Sequence, residues 1–154
     1  MVRMINVLCV DSDPDRLGTL VDFLRGSEDL IVRSAPSPKE ALEMVRMEHF
    51  DAVISEFAME GLNGIQLLTA LREIDNDSIF ILFTSVECQE AAIEADPANL
   101  SLFVCRGEDA IDRRKVLLTR LRHAIGTHQE EMVHRRKAEL LSSILATAPD
   151  VIFA

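Results

Sequence analysis

The segment DAVISEFAMEGLNG, residues 51–64, decides how the rest of the chain is read. It begins as a short apolar strand, runs straight into an acid, Glu56, and continues into a loop carrying Gly61, Asn63 and Gly64. A strand with apolar residues in unbroken succession fits a sheet covered on both faces, because such a strand has no solvent side to alternate with. A carboxylate at the end of that strand is the feature to explain.

The same grammar repeats on either side. INVLCV (5–10) is a β-rich run, followed by the turn DSDPD and by RLGTLVDFLRG, where Leu17, Leu20, Val21 and Leu24 recur at helical spacing and Gly26 marks the end. LIVRSA (30–35) reads as a strand, after which Ser37 caps PKEALEMVRMEHF, with Pro38 in the first helical position and Ala41, Leu42 and Val45 on one face. After the quoted segment come NGIQLLTALREI as a helix with Ile65, Leu68 and Leu71 inward, SIFILFTS as a strand, and ECQEAAIEA as a short polar helix. LSLFVC is the fifth strand, and EDAIDRRKVLLTRLRHAIG opens the last helix. Strict alternation of strand and helix implies a doubly wound α/β fold, a parallel sheet with right-handed crossovers and helices on both faces.

The chain of 154 residues is long enough for one such domain with a fragment to spare. Its net charge of −10, with thirteen arginines to three lysines, repels phosphate backbones, and the absence of Trp and Tyr removes the usual stacking platforms. Binding to nucleic acid is therefore not expected. No apolar run approaches the roughly 20 residues a bilayer span needs, and no signal-peptide pattern precedes the first strand, so a cytoplasmic location without membrane contact is expected. Cys9, Cys88 and Cys105 are odd in number and lack metal-ligand spacing, which reads as reduced core cysteines.

In an open parallel sheet, chemistry collects at the carboxyl ends of the strands. Asp11, Asp13, Glu56, Thr84 and Arg106 all fall there. With that order and spacing, residues 3–126 resemble a response-regulator receiver domain of two-component signalling. The resemblance rests on Asp11, Ser12, Asp13 and Pro14 after the first strand, Glu56 with Gly64 eight residues on, Thr84 at the end of the fourth strand, and Phe103 ahead of Arg106 and Gly107. It implies a flavodoxin-like sheet of order 2-1-3-4-5. It also implies roles: Glu56 at the phosphoacceptor position, Asp11, Ser12 and Asp13 as the acidic pocket, Thr84 and Phe103 as switch residues, and Arg106 in the place of a lysine.

Several of those residues depart from the family pattern. Phosphoryl transfer to a carboxylate needs an in-line nucleophile and a Mg²⁺ that neutralises developing charge. Mg²⁺ requires near-octahedral oxygens at about 2.0–2.1 Å, and the second acid of the family is Ser12 here. Glu56 extends the expected aspartate by one methylene, and misplacement on the order of 1 Å costs about 100-fold in rate. Arg106 lacks lysine's compact charge, and Gly107 stands where the family has a proline. Only Asp11 and Thr84 keep the family identity.

The expectation is a pseudo-receiver: no catalytic residue, no cofactor, and a standing ion pair between Glu56 and Arg106. The alternative is a site that is still phosphorylatable, with Asp11, Asp13 and Glu56 as candidate Mg²⁺ ligands. Blander roles remain open for single residues: Asp13 as a helix cap, Phe103 as core, Thr84 and Ser85 as caps of the next helix, Glu56 as a solvated acid. VLCVDSDPD also resembles the opening of haloacid-dehalogenase-type phosphatases, with Asp11 as nucleophile, Asp13 as acid or base and Thr84 holding phosphate.

Past Ala110, apolar residues continue at helical intervals through Val116, Leu117, Leu121 and Ile125, and then Met132, Val133, Leu140, Ile144 and Leu145. Gly126 reads as an interruption, placing a receiver-like domain at 1–126 and a helical linker at 127–147, with a short coiled-coil pattern that suggests a homodimer. Residues 148–154 resemble the opening of a PAS sensory domain. The resemblance implies a sensor or kinase region downstream as the partner.

Overall fold

The computed structural model describes residues 3–96, 102–106 and 110–147. In chain order the elements are β1 (Ile5–Val10), α1 (Pro14–Arg25), β2 (Leu30–Ala35), α2 (Pro38–Met47), β3 (Ala52–Ser55), α3 (Gly64–Ile74), β4 (Ile79–Thr84), α4 (Gln89–Ala95), β5 (Leu102–Cys105) and α5 (Ala110–Thr147). A single 3-10 turn, Val86–Cys88, leads into α4. The strands form one sheet in the order β2-β1-β3-β4-β5, every pairing parallel. This is the flavodoxin-like order expected from the sequence.

Period-two alternation divides each strand between two cores. Val7 and Cys9 of β1 pack with Ile54, Ile81 and Phe83 under α1 and α5, whose Leu17, Val21, Leu24, Leu117 and Leu121 face inward. Leu8 and Val10 point the other way and pack with Val53, Phe80 and Leu82 under α2, α3 and α4. Neither face of β1 meets water, hence its continuous apolar run.

The helix starts are set locally. Asp13 caps α1, its side chain accepting from the amides of Asp15 and Arg16, and Pro14 follows at the first turn. Ser37 caps α2 and accepts from the Glu40 amide. Asn63 and Gln66 form a reciprocal capping box at α3.

Two expectations are corrected. Gly126 does not interrupt the last helix, since α5 runs unbroken from Ala110 to Thr147. A glycine inside a helix costs about 1 kcal/mol relative to alanine, and the buried Leu117, Leu121 and Ile125 one turn after another outweigh that. The proposed boundary at residue 126 therefore coincides with no break in the backbone. The cysteines also differ from one another: Cys9 is buried, whereas Cys88 and Cys105 are only partly so and are not core residues.

Burial pushes the Cys9 thiol up to about 12 from 9.0, with Arg25 opposing. Raising the folded value favours the neutral thiol, so this contribution is intact below about pH 9 and is lost as the pH rises towards 12. Under native conditions at mildly alkaline pH, iodoacetamide is expected to modify Cys88 and Cys105 and to spare Cys9, with all three modified in denaturant. Intact mass counts the adducts, and rapid native labelling of Cys9 would contradict its burial.

Candidate functional site

Parallel register brings the strand ends together. Val10 of β1 lies opposite Ser55 of β3, and Ser55 opposite Leu82 of β4. The Glu56 amide donates to Val10 O at 3.0 Å, and the Arg106 amide to Thr84 O at 2.6 Å. Asp11, Glu56, Thr84 and Arg106 thus emerge side by side from β1, β3, β4 and β5, although nearly 100 residues separate the first from the last.

Gly64 fixes how closely α3 approaches this edge. A Cβ there would lie 2.6 Å from Glu56 O and 2.6 Å from Leu82 Cδ2, so only glycine fits unless the backbone moves. The Gly64 amide donates to Phe57 O at 2.8 Å, which holds the loop after Glu56 against the helix start. Gly61, at φ 86°, turns the chain within that loop through the left-handed region.

Glu56 is only 4% exposed. Its Oε1 accepts from the Phe57 amide at 2.9 Å, from the Ala58 amide at 3.4 Å and from the hydroxyl of fully buried Thr84. Its Oε2 accepts from Arg106 Nη1, which also reaches Phe83 O at 3.4 Å. The carboxylate is therefore desolvated with both oxygens occupied, the condition under which a buried charge is tolerated. Its surroundings are not those of a solvated strand-end acid. Thr84 turns its hydroxyl to Glu56, and neither Thr84 nor Ser85 caps the following turn, which has no side-chain cap.

A residue that sequence reasoning passed over sits at the centre. Arg16 of α1 places Nε 2.8 Å from Asp11 Oδ2 and Nη2 2.9 Å from Asp11 Oδ1, a bidentate pair. Its guanidinium also lies 3.6 Å from Asp13 Oδ2 and 3.9 Å from Glu56 Oε2. Hydrogen bonding to Asp11 pushes the Arg16 guanidinium further up; burial opposes this, while the charges of Asp11, Glu56 and Asp13 reinforce it. Arg16 is thus held cationic. The sequence signal was an arginine in the first turn of a helix, where the macrodipole disfavours a cation, next to three acids.

The remaining predicted residues are less central. Asp13 serves as the α1 cap while its second oxygen faces Arg16. Ser12 is exposed. Phe103 is partly buried against the core under α2, α3 and α4. Gly107 and the PAS-like stretch 148–154 lie outside the described residues.

The family resemblance implies Mg²⁺, and the side chains present do not fit it. Asp11 spends both oxygens on Arg16, and Oδ1 also accepts from the Asp13 amide at 2.9 Å. The second acid is missing at Ser12, and Glu56 is fully engaged. A dication here would sit against a guanidinium already bound to the same carboxylates. Among the described residues, no three His, Cys, Asp or Glu side chains are grouped to hold a metal ion. The cavity enclosed among Asp11, Arg16, Glu56 and Arg106 measures about 20 Å³, enough for a water molecule and little more.

Comparison with known proteins agrees with this architecture. The chain is 33% identical over 132 residues to the transcriptional regulatory protein PrrA of Mycobacterium tuberculosis, covering 82% of this chain and 55% of the relative. It is 28% identical over 156 residues to the transcriptional regulatory protein ZraR of Escherichia coli K12, covering 94% of this chain and 35% of that protein. The chain thus spans between about a third and just over half the length of these curated relatives. Among solved structures, the signal receiver domain of an HD domain-containing protein from Pseudomonas fluorescens Pf-5 superposes with a TM-score of 0.72 at 21% identity, covering 86% of this chain and 94% of that one. Chemotaxis response regulator CheY4 of Vibrio cholerae superposes with a TM-score of 0.66 at 20% identity, covering 77% and 98%. The family model for the response regulator receiver domain matches residues 7–117, most of the folded body. On these grounds the chain belongs to the response regulator receiver domain family.

Proposed function

We propose that this receiver is a signalling module of a two-component system that no longer passes a phosphoryl group and acts through protein–protein contact. The observation that carries this reading is the engagement of Glu56. A nucleophile for in-line attack needs a free lone pair and space for the incoming group. Glu56 lacks the space, beside a cavity of about 20 Å³, and both its oxygens are drawn into hydrogen bonds with Thr84, Arg106 and two backbone amides. The pair with Arg106 replaces the contact that a phosphoryl group would otherwise bridge.

The test is incubation of the full chain with Mg²⁺ and acetyl phosphate, followed by intact-mass measurement at neutral pH. No mass gain is expected. A phosphoryl adduct mapped to Glu56 would overturn the reading and restore the phosphorylatable alternative. The phosphatase alternative needs a free Asp11 nucleophile, and both oxygens of Asp11 accept from Arg16.

Output in this reading passes along α5 to a sensor or kinase region and is organised by pairing of two copies. Leu140, Leu141, Ile144 and Leu145 are each more than half exposed. At 3.6 residues per turn, their stripe lies about 170° around the helix from the Leu117, Leu121 and Ile125 stripe that faces the domain's own core. A second copy can cover the outer stripe from the side away from the receiver body. Analytical ultracentrifugation at micromolar concentration is expected to show a dimer, and Leu141→Glu with Ile144→Glu to return it to monomer. An unchanged sedimentation profile in the double variant would place any dimer elsewhere.

A further inference from the structure

We propose that Arg16 is the resident cation of the acidic pocket: its guanidinium stands where a divalent metal would draw the carboxylates together, so the domain is held in one state whatever the divalent concentration. The inference deepens the pseudo-receiver reading and rests on it, but concerns a different residue and a different readout.

The argument begins with the helix. Asp13 caps α1 and Pro14 follows, which places Arg16 in the first turn with its side chain directed back over the helix start. The aligned peptide dipoles of α1 leave a partial positive charge at its start, so a guanidinium is disfavoured at that point by the helix itself. What holds it is the set of acids: Asp11 grips it through two oxygens, at 2.8 and 2.9 Å, and Asp13 and Glu56 approach within 3.6 and 3.9 Å. A planar fork meeting a carboxylate edge is a contact lysine cannot reproduce and a hydrated metal ion would have to displace.

Charge balance leads to the same conclusion. Asp11, Asp13 and Glu56 bring three negative charges to one point, and Arg16 and Arg106 return two. Removing Arg16 leaves three carboxylates facing one guanidinium. Mutual repulsion then destabilises the pocket, and a divalent cation becomes the simplest remedy. Ser12, which replaces an acid, reduces what a metal could gain and leaves the guanidinium enough anionic partners.

The experiment compares thermal unfolding of the full chain in chelator and in millimolar MgCl₂ at matched ionic strength. Wild type is expected to unfold at the same temperature in both, with no heat of Mg²⁺ binding by calorimetry. Arg16→Met, which keeps the aliphatic stem without the charge, is expected to unfold several degrees earlier in chelator and to recover much of the loss in MgCl₂. Arg16→Met folded only with Mg²⁺ is the same result in stronger form. If Arg16→Met fails to fold in either buffer, Arg16→Lys decides: retained charge predicts a lower unfolding temperature that Mg²⁺ does not raise, and a Mg²⁺-dependent rise overturns the proposal. Stabilisation of wild type by Mg²⁺, or an Arg16→Met variant as stable as wild type and indifferent to the metal, overturns it as well. Mg²⁺ binding without a phosphoryl adduct on Glu56 defeats this inference alone, whereas an adduct defeats the reading beneath it.

Discussion

Glu56→Gln is expected to lower the free energy of unfolding by about 3 kcal/mol, at the lower end of what breaking a buried ion pair costs. The substitution keeps size and shape and removes only the charge. Arg106, whose side chain is 18% exposed, then loses its anion in a place where water cannot fully replace it. Arg16 loses a more distant partner at 3.9 Å and retains Asp11, so most of the cost falls on Arg106. The amide NH₂ of glutamine adds to the penalty, since it meets N–H donors at either position: the Phe57 and Ala58 amides beside the Thr84 hydroxyl at one oxygen, Arg106 at the other. A urea titration measures the loss. Combining it with Arg106→Met in a double-mutant cycle isolates the pair. Unchanged stability and unchanged partner output in Glu56→Gln would mean that the ion pair has no role.

Gly64→Ala is expected to cost about 3 kcal/mol, the upper part of the range for overpacking a well-filled site. Of the two atoms 2.6 Å from the new methyl, Leu82 Cδ2 can turn away, but Glu56 O belongs to the backbone and cannot. Either α3 lifts from the sheet or β3 shifts at its end. A shift at the end of β3 moves Glu56 relative to Thr84 and Arg106, so the variant also loosens the site. Equilibrium unfolding reads the cost, and faster exchange of the Phe57 and Ala58 amides reads the displacement. A variant within a few tenths of a kcal/mol of wild type would show that the close approach is relieved at no cost.

These two residues also mark how far local sequence information reaches. Gly64 was visible as a glycine at a fixed distance from Glu56, and the capping residues Asp13 and Ser37 announced their helices within three or four positions. Gly126 misled because its helix-breaking tendency is a local average. What decides its conformation is the burial of Leu117, Leu121 and Ile125 against a sheet laid down tens of residues earlier. Cys105 misled for a related reason: it closes an apolar run, yet its place at the end of the edge strand β5 leaves it partly exposed, while Cys88 sits in the turn ahead of α4 and is also only partly buried.

Element order, the parallel sheet and the convergence of Asp11, Glu56, Thr84 and Arg106 at one edge followed from the chain alone. Periodicity, caps and right-handed crossovers are short-range rules, and together they admit few topologies. The partnerships within the edge required the folded molecule. That Asp11 is held by Arg16 depends on how α1 leaves the end of β1, and that Thr84 gives its hydroxyl to Glu56 and that the pocket measures about 20 Å³ depend on side-chain directions across strands in register. Hydrogen bonds and ion pairs fall off within a few ångströms, and a one-residue change of register would send each of these side chains to the opposite face of the sheet.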